Sequence, residues 1–288
     1  MSSCKSSAKS SRIPKWLRVK LPSDPAFVQT GDLLKDLGLN TVCQGAKCPN
    51  IYECFSKHVA TFLIMGRTCT RGCAFCNIGL GTVEALDPDE PARVAEAARR
   101  LELKHVVITS VTRDDLPDGG AGHFAATIQA VRGAMPGCTI EVLIPDFQGD
   151  EAALRTVIEA GPEIINHNVE TVPDLYPQIR PQADFEQSIQ LLERVKAAGV
   201  VSKSGLMVGL GETDEQVQAL LGRLADARVG IVTIGQYMRP STSHPEVQRY
   251  VEPQVFDGYA AHGESLGLPH VFSAPRVRSS YNAADFVE

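Results

Sequence analysis

The sequence predicts an α/β protein, a partial (β/α)6 TIM-like barrel, and three observations carry that prediction. Six short apolar runs follow one another from residue 60 onward, each of a length suited to one buried strand. Amphipathic stretches separate them, with apolar residues three and four apart on one helical face. The connections are short, and serial β/α units joined in one right-handed sense build a parallel sheet with helices outside it.

Taken in order, residues 1–12 read as a solvated tail. The first twenty positions hold six serines and six basic side chains (Lys5, Lys9, Arg12, Lys15, Arg18 and Lys20) with no acid, and nothing in residues 1–12 can pack. An acid-poor, Ser-rich start is also the composition of an organelle transit peptide, the weaker alternative here because arginine is scarce. Residues 13–59 form an N-terminal extension, residues 60–250 the barrel core and residues 251–288 a C-terminal segment. Within the core the strand-like runs are 60–65 (ATFLIM), 105–111 (HVVITSV), 138–144 (CTIEVLI), 164–169 (IINHNV), 204–210 (SGLMVGL) and 230–236 (GIVTIGQ). Helices are expected near 90–103, 121–134, 150–160, 184–198 and 213–227; Val94, Ala97, Ala98 and Leu101 illustrate the spacing. Asp184, Ser188 and Thr213 stand at N-capping or first-turn positions, and Gly161 and Gly199 where helices stop.

Composition narrows the function. Across 288 residues, 43% are hydrophobic, enough for a sizeable core, and 28 basic against 34 acidic side chains leave a net charge of -6. That balance disfavours a general nucleic-acid binder, whose affinity rests on excess Lys and Arg. No apolar run is long enough to span a bilayer, and the N-terminus lacks the apolar core of a secretory signal. The chain is therefore read as soluble and cytoplasmic. Eight cysteines in a reducing compartment point to metal binding or chemistry rather than to disulfides.

The polar segments fall after the strand runs: the loop "RTCTRGCAFCNI" (67–78), then "TSVTRDDLPDGGA" (109–121), "NHNVET" (166–171) and "GLGET" (209–213). Singly, each passes for a turn or a polar strand end. Together they occupy the carboxyl ends of strands, where barrel enzymes build their sites, and indicate one small-molecule site.

Six of the eight cysteines form two sets of three. Cys69, Cys73 and Cys76 are spaced C-x3-C-x2-C; Cys43, Cys48 and Cys54 are spaced C-x4-C-x5-C. A structural zinc site needs four protein ligands, which neither set supplies. Iron-sulfur clusters take closely spaced thiolates, and three ligands on a four-iron cluster leave one iron open. Of the remaining two, Cys138 opens an apolar strand and reads as a buried small hydrophobe, whereas Cys4 has no assigned role.

The C-x3-C-x2-C loop, with the aromatic Phe75 before its last cysteine, resembles the radical S-adenosylmethionine (SAM) superfamily. The second triplet, "RSSY" (278–281), "CPNIYECF", "VTRDDLPDGGA", "NHNVET", "GLGET" and "TIGQYMRPS" make the chain similar to the lipoyl synthase family from about residue 15 onward. The resemblance implies two 4Fe-4S clusters and SAM. In that family the cluster at Cys69, Cys73 and Cys76 cleaves SAM reductively to a 5'-deoxyadenosyl radical. The auxiliary cluster at Cys43, Cys48 and Cys54, with Ser280 as fourth ligand, is the sulfur donor for carbons 6 and 8 of an octanoyl chain on a lysine. Without the family match Ser279 is an equal candidate for that ligand.

The resemblance also places Asn168, Glu170, Thr112, Gly209 and Gly211 around SAM, and Arg180 near the chemistry; read alone, Arg180 fits a surface ion pair equally well. Implied partners are octanoylated lipoyl-carrier domains, of 2-oxoacid dehydrogenase E2 or glycine cleavage H protein, and an electron donor such as ferredoxin or flavodoxin. Since one cluster ties residues 43–54 to residue 280, the two terminal extensions are expected to close the barrel mouth. In the segment 237–253, Thr242 and Ser243 replace two basic residues usual in the family, so contacts to a carrier are expected to differ. The few residues after Tyr281 lead to the expectation that no further C-terminal extension supports the serine. Biotin synthases and methylthiotransferases share the Cys69 loop but not the upstream triplet with RSSY. A non-catalytic electron carrier needs no SAM-type rim.

Overall fold

The computed structural model describes residues 13–19 and 25–280. The tail expected over residues 1–12, with Cys4, and Tyr281 lie outside the described residues. In chain order the elements are α1 (Ala26–Asp36), β1 (Asn40–Thr41), α2 (Val42–Gly45), α3 (Ile51–Ser56), β2 (Thr61–Ile64), β3 (Thr68–Cys69), β4 (Gly79–Leu80), α4 (Glu90–Arg100) and β5 (His105–Ser110). There follow α5 (Ala121–Ala134), β6 (Thr139–Leu143), α6 (Glu151–Glu159), β7 (Ile164–Asn166), α7 (Tyr176–Ile179), α8 (Phe185–Ala197), β8 (Val201–Val208), α9 (Asp214–Asp226), β9 (Ile231–Gln236), α10 (Pro253–Ser265) and β10 (His270–Ser273).

The main sheet has the order β1-β2-β5-β6-β7-β8-β9-β10. Only β1 pairs antiparallel; from β2 to β10 every neighbour is parallel, in registers such as Phe62↔Ile108, Val142↔Ile165 and Ser204↔Val232. Strand order follows chain order, the signature of a barrel wall wound in one sense, and β1 and β10 stand at its two ends. The α/β partial barrel is as the sequence predicts, with one addition. Helix α10 and strand β10 contribute a seventh parallel strand beyond the six read from the sequence. Gly258 and Gly263 dilute the helical signal of α10, and β10 offers only four residues, the first of them exposed.

Local chemistry accounts for the element ends. Asp184 caps α8 by accepting from Gln187 N at 2.7 Å, and Thr213 caps α9 in a reciprocal capping box with Gln216. Ser188 lies inside α8, where its buried hydroxyl donates back to Asp184 O at 2.9 Å. Gly161 and Gly199 take φ of +77° and +80°, the left-handed turn that ends a helix. Between the layers, Val94, Ala97 and Ala98 of α4 are fully buried among Phe124, Ile128 and the β2–β6 wall, and a second core joins β8–β10 to α8–α10 through residues such as Leu192, Leu221 and Phe256. Burying a Val, Leu, Ile or Phe side chain fully stabilises the fold by about 1.5–3 kcal/mol. Cys138 sits in the first of these cores at 5% exposure, a buried small hydrophobe.

Candidate active site

The cysteine loop leaves the carboxyl end of β2 and is fastened on several sides. Thr70 donates from both its backbone N and its Oγ1 to Thr112 O, at 3.1 and 3.0 Å, and Thr112 N–H donates to Cys69 Sγ at 3.2 Å. Arg71 N–H reaches the same sulfur at 3.5 Å. Beyond Cys69, Gly72 N donates to Gln182 Oε1 at 2.7 Å, Ala74 N to Ile179 O at 2.8 Å, and His244 Nε2 lies 3.1 Å from Cys76 O. Phe75 packs with Ile179, Leu210 and Tyr237. Backbone donors aimed at a sulfur tune any cluster it holds.

The Arg71 side chain anchors the loop from beneath. Its guanidinium is bidentate to Asp114 (2.6 and 2.9 Å) and to Asp146 (2.8 and 2.7 Å), from the ends of β5 and β6. Burial alone raises the Asp146 carboxyl, but the Arg71 hydrogen bonds and charge override it and hold the group at about 2. In the sequence, "TSVTRDDLPDGGA" draws attention to Thr112 and to the Asp118-Gly119-Gly120 turn, and this pairing is not legible there because Arg71 and Asp146 stand 75 positions apart.

Both cysteine sets open onto one cavity of about 340 Å³, walled by Cys43, Cys48, Cys69, Cys73 and Cys76 together with Phe75, Thr112, Asn168, Glu170 and Arg180. A much smaller void of about 20 Å³ adjoins it, enclosed by Cys43, Cys48, Cys54, Asn50, Arg278 and Ser280. Ser280 faces this void; Ser279 lines only the larger cavity, where Asn168 Nδ2 donates to its Oγ at 2.8 Å. Gly209 and Gly211 stand off the cavity wall in the loop after β8, where Gly209 N donates to Glu212 Oε1 at 2.5 Å; Leu206 and Met207 of β8 face the cavity instead.

Residues 274–280 reach the void as a strap crossing the end of β9. Ala274 N donates to Ile234 O and Gln236 N to Pro275 O, so the strap prolongs the β9–β10 pairing. A side chain at Gly235 would put its Cβ 2.0 Å from Val277 O, so glycine is required for the crossing. Farther on, Asn50 Nδ2 donates to Arg276 O at 2.7 Å and Arg276 pairs with Glu53 at 2.8 Å, joining the strap to the helix that carries Cys54. Gly235 and Asn50 went unread in the sequence; a glycine inside an apolar strand was the available signal.

On the opposite wall, Glu170 takes a left-handed φ of +65°, its carboxylate accepting from Asn168 Nδ2 at 3.1 Å. Burial raises the Glu170 pKa, opposed by the Arg180 charge and the Asn168 bond. Arg180 is buried at 8% exposure, and its Nη1 donates to Asn168 O, Val169 O and Tyr176 Oη at 3.0–3.2 Å. The surface ion pair is thereby overturned: α7 folds Arg180 inward, and its buried Nε has no hydrogen-bond partner among the described residues. His167, also on the cavity wall, contacts Ile144 O at 2.9 Å and Ser188 Oγ at 3.1 Å; burial and then the Arg180 charge lower its pKa to about 4, so it is neutral.

The thiols suit clusters rather than single ions. Among the described residues no three His, Cys, Asp or Glu side chains converge on a single-ion site, whereas a four-iron cluster spreads its ligands over different irons. Burial pushes the Cys43 thiol up to about 11 and those of Cys54 and Cys76 up to about 12, and Cys73 upward as well, since neighbouring thiolates in a dry site repel. A metal cation supplies the charge that makes such thiols good ligands.

Residues 63–224 match the Radical SAM superfamily. The chain is 65% identical over 283 residues to lipoyl synthase of Nitratidesulfovibrio vulgaris strain Hildenborough, covering 98% of this chain and 95% of the relative. It is 62% identical to lipoyl synthase of Oleidesulfovibrio alaskensis, over 100% of this chain and 99% of the relative. Among solved structures, SuiB of Streptococcus suis bound to S-adenosylmethionine aligns with a TM-score of 0.60 at 11% identity, over 85% of this chain; the chain spans 60% of that structure's length. Methylornithine synthase PylB aligns over 90% of this chain and 88% of its own, with a TM-score of 0.50 at 15% identity. The structural likenesses show the barrel fold, the match over residues 63–224 shows the superfamily, and the near-full-length identities go further: the chain belongs to the lipoyl synthase family of the radical SAM superfamily.

Proposed function

We propose that this chain inserts two sulfur atoms, at carbons 6 and 8, into an octanoyl chain carried on a lysine of a lipoyl-carrier protein domain, giving the lipoyl cofactor. The supporting observation is the paired cavity: one cysteine triplet with Ser280 around the small void, the other on the adjoining wall of the large one. Cys69, Cys73 and Cys76 would hold the 4Fe-4S cluster that serves SAM. Cys43, Cys48, Cys54 and Ser280 would hold a second cluster, the sulfur donor. When bound, these groups supply what side chains lack, a radical able to open an unactivated C–H bond and a source of sulfur.

The chain's own residues bind, orient and exclude water. Glu170 and Asn168 offer acceptors for the ammonium and ribose hydroxyls of SAM, and the free Nε of Arg180 offers a donor for a carboxylate. Thr112 fixes Cys69 through its N–H. Leu206, Met207, Val111 and Ile144 give the cavity an apolar wall suited to an aliphatic chain. The strap covers the void and keeps solvent from a reactive centre. The carrier is an octanoylated lipoyl-carrier domain, of 2-oxoacid dehydrogenase E2 or glycine cleavage H protein, the reductant an electron donor such as ferredoxin or flavodoxin, and the compartment the cytoplasm. Among the described residues no helix is long and apolar enough to cross a membrane.

The test is reaction of the iron- and sulfide-reconstituted protein with SAM, a reductant and an octanoyl-lysyl peptide, reading product by mass. A peptide bearing two added sulfurs is expected. SAM cleavage with an unchanged peptide overturns the reading.

A further inference from the structure

Both serines of the strap line the large cavity, but only Ser280 also borders the small void. Ser280 borders the void with the upstream cysteines, while Ser279 points into the large cavity and meets both ends of the Asn168 amide, accepting from Nδ2 at 2.8 Å and donating to Oδ1 at 3.0 Å. The same Nδ2 donates to Glu170 Oε1 at 3.1 Å. An unbroken path of hydrogen bonds and one peptide unit thus runs from Glu170 through Asn168 and Ser279 to Ser280. Its centre is crowded: a Cβ at Gly205 would lie 2.5 Å from Thr233 Oγ1, 2.9 Å from Asn168 Oδ1 and 3.1 Å from Ser279 Oγ, so glycine in the strand beneath leaves room for these groups to meet.

We infer that Ser279 is a positioning residue that couples SAM binding on the Glu170–Asn168 wall to the placement of Ser280 beside the upstream cysteines. The inference rests on the functional reading above for the roles of Asn168 and Ser280. Its physical content is linkage: a contact that holds Asn168 for SAM also holds the strap, so each event favours the other by the same factor.

The experiment is a double-mutant cycle on the cluster-loaded protein with Ser279→Ala, Asn168→Ala and the pair, measuring SAM dissociation constants by equilibrium binding. Backbone amide exchange over residues 276–280, with and without SAM, is followed in parallel. A neutral hydrogen bond of this kind is worth about fivefold in an equilibrium. Ser279→Ala is expected to weaken SAM binding about that much, to add nothing once Asn168 is Ala, and to abolish the SAM-dependent slowing of exchange in the strap. Gly205→Ala, which keeps both polar groups but removes their room, should act in the same direction. Iron content is read for every variant, and the SAM affinity needs no product formation. Failure of the wild type to thiolate the peptide would therefore strike the proposed function and leave this test intact. Unchanged SAM affinity in Ser279→Ala, additive effects in the cycle, or loss of iron in Ser279→Ala with SAM affinity intact would overturn the coupling.

Discussion

Arg71 is shared by two carboxylates from different strand ends, so removing one leaves a buried guanidinium only half satisfied. Asp146→Asn is expected to cost about 1–3 kcal/mol, the penalty of an unmet buried partner, read from the denaturant midpoint. Because the folded Asp146 pKa is lowered from 3.8 to about 2, its contribution is fully present above 3.8 and vanishes as pH falls through about 2. The stability gap between wild type and Asp146→Asn should therefore close over that window; a gap constant with pH would refute the role. The cysteines are expected to divide the chemistry. Cys73→Ala should abolish 5'-deoxyadenosine formation while keeping about half the iron. Cys48→Ala should keep SAM cleavage but put no sulfur on the octanoyl peptide. Normal cleavage by the first, or wild-type thiolation by the second, would contradict the assignment of the sets. These thiols could be found in the sequence because metal ligation imposes short spacings. The Ser279–Asn168 contact could not, since nothing local relates residues 111 positions apart.

At the scale of elements, the legible parts were those whose ends and faces carry local chemistry. Helix α9 was found from Thr213 and its apolar spacing, and Thr213→Ala should destabilise it by about 1 kcal/mol, measured as a shift in thermal midpoint. Helix α1 and the unit α10–β10 were not found: Gly31 interrupts the first, and Gly258 and Gly263 the second. Their stability comes from docking, with Phe256 and Tyr259 of α10 buried against the last strands. The strap gives this scale its sharpest test. Gly235→Ala must displace Val277 O, and the expected result is retained SAM cleavage with sulfur transfer reduced by at least tenfold, about 1.4 kcal/mol or more. Full transfer by a folded Gly235→Ala variant would mean that the strap's path is unimportant.

For the whole molecule, the barrel was readable because serial strands and helices leave few alternatives, whereas the way its ends meet depends on contacts such as that of Asn50 with Arg276, 226 positions away. That meeting makes Ser280 a test of global architecture. Ser280→Ala should cleave SAM and hold both clusters yet fail to transfer sulfur, and Ser280→Cys should hold a sturdier cluster that releases sulfur poorly, since thiolate binds iron more tightly than alkoxide. Product mass, compared with Ser279→Ala, decides it: activity in Ser280→Ala with loss in Ser279→Ala would move the ligand. Iron removal by a chelator is expected to lower the thermal midpoint, as for any ligand held only by the folded state.

The position of the strap in the chain has a consequence for biosynthesis. Cys43, Cys48 and Cys54 leave the ribosome before any of the seven parallel strands, and Ser280 after all of them. Because domains are made from the N-terminus onward, Ser280 can meet the upstream thiols only after the last of these strands has been made, and the long loop that joins them closes late. The strap is bonded both to the strands, through Ala274 and Gln236, and to the helix of Cys54, through Asn50 and the Arg276–Glu53 pair, so the N-terminal extension is fastened in place only once the whole barrel has been made.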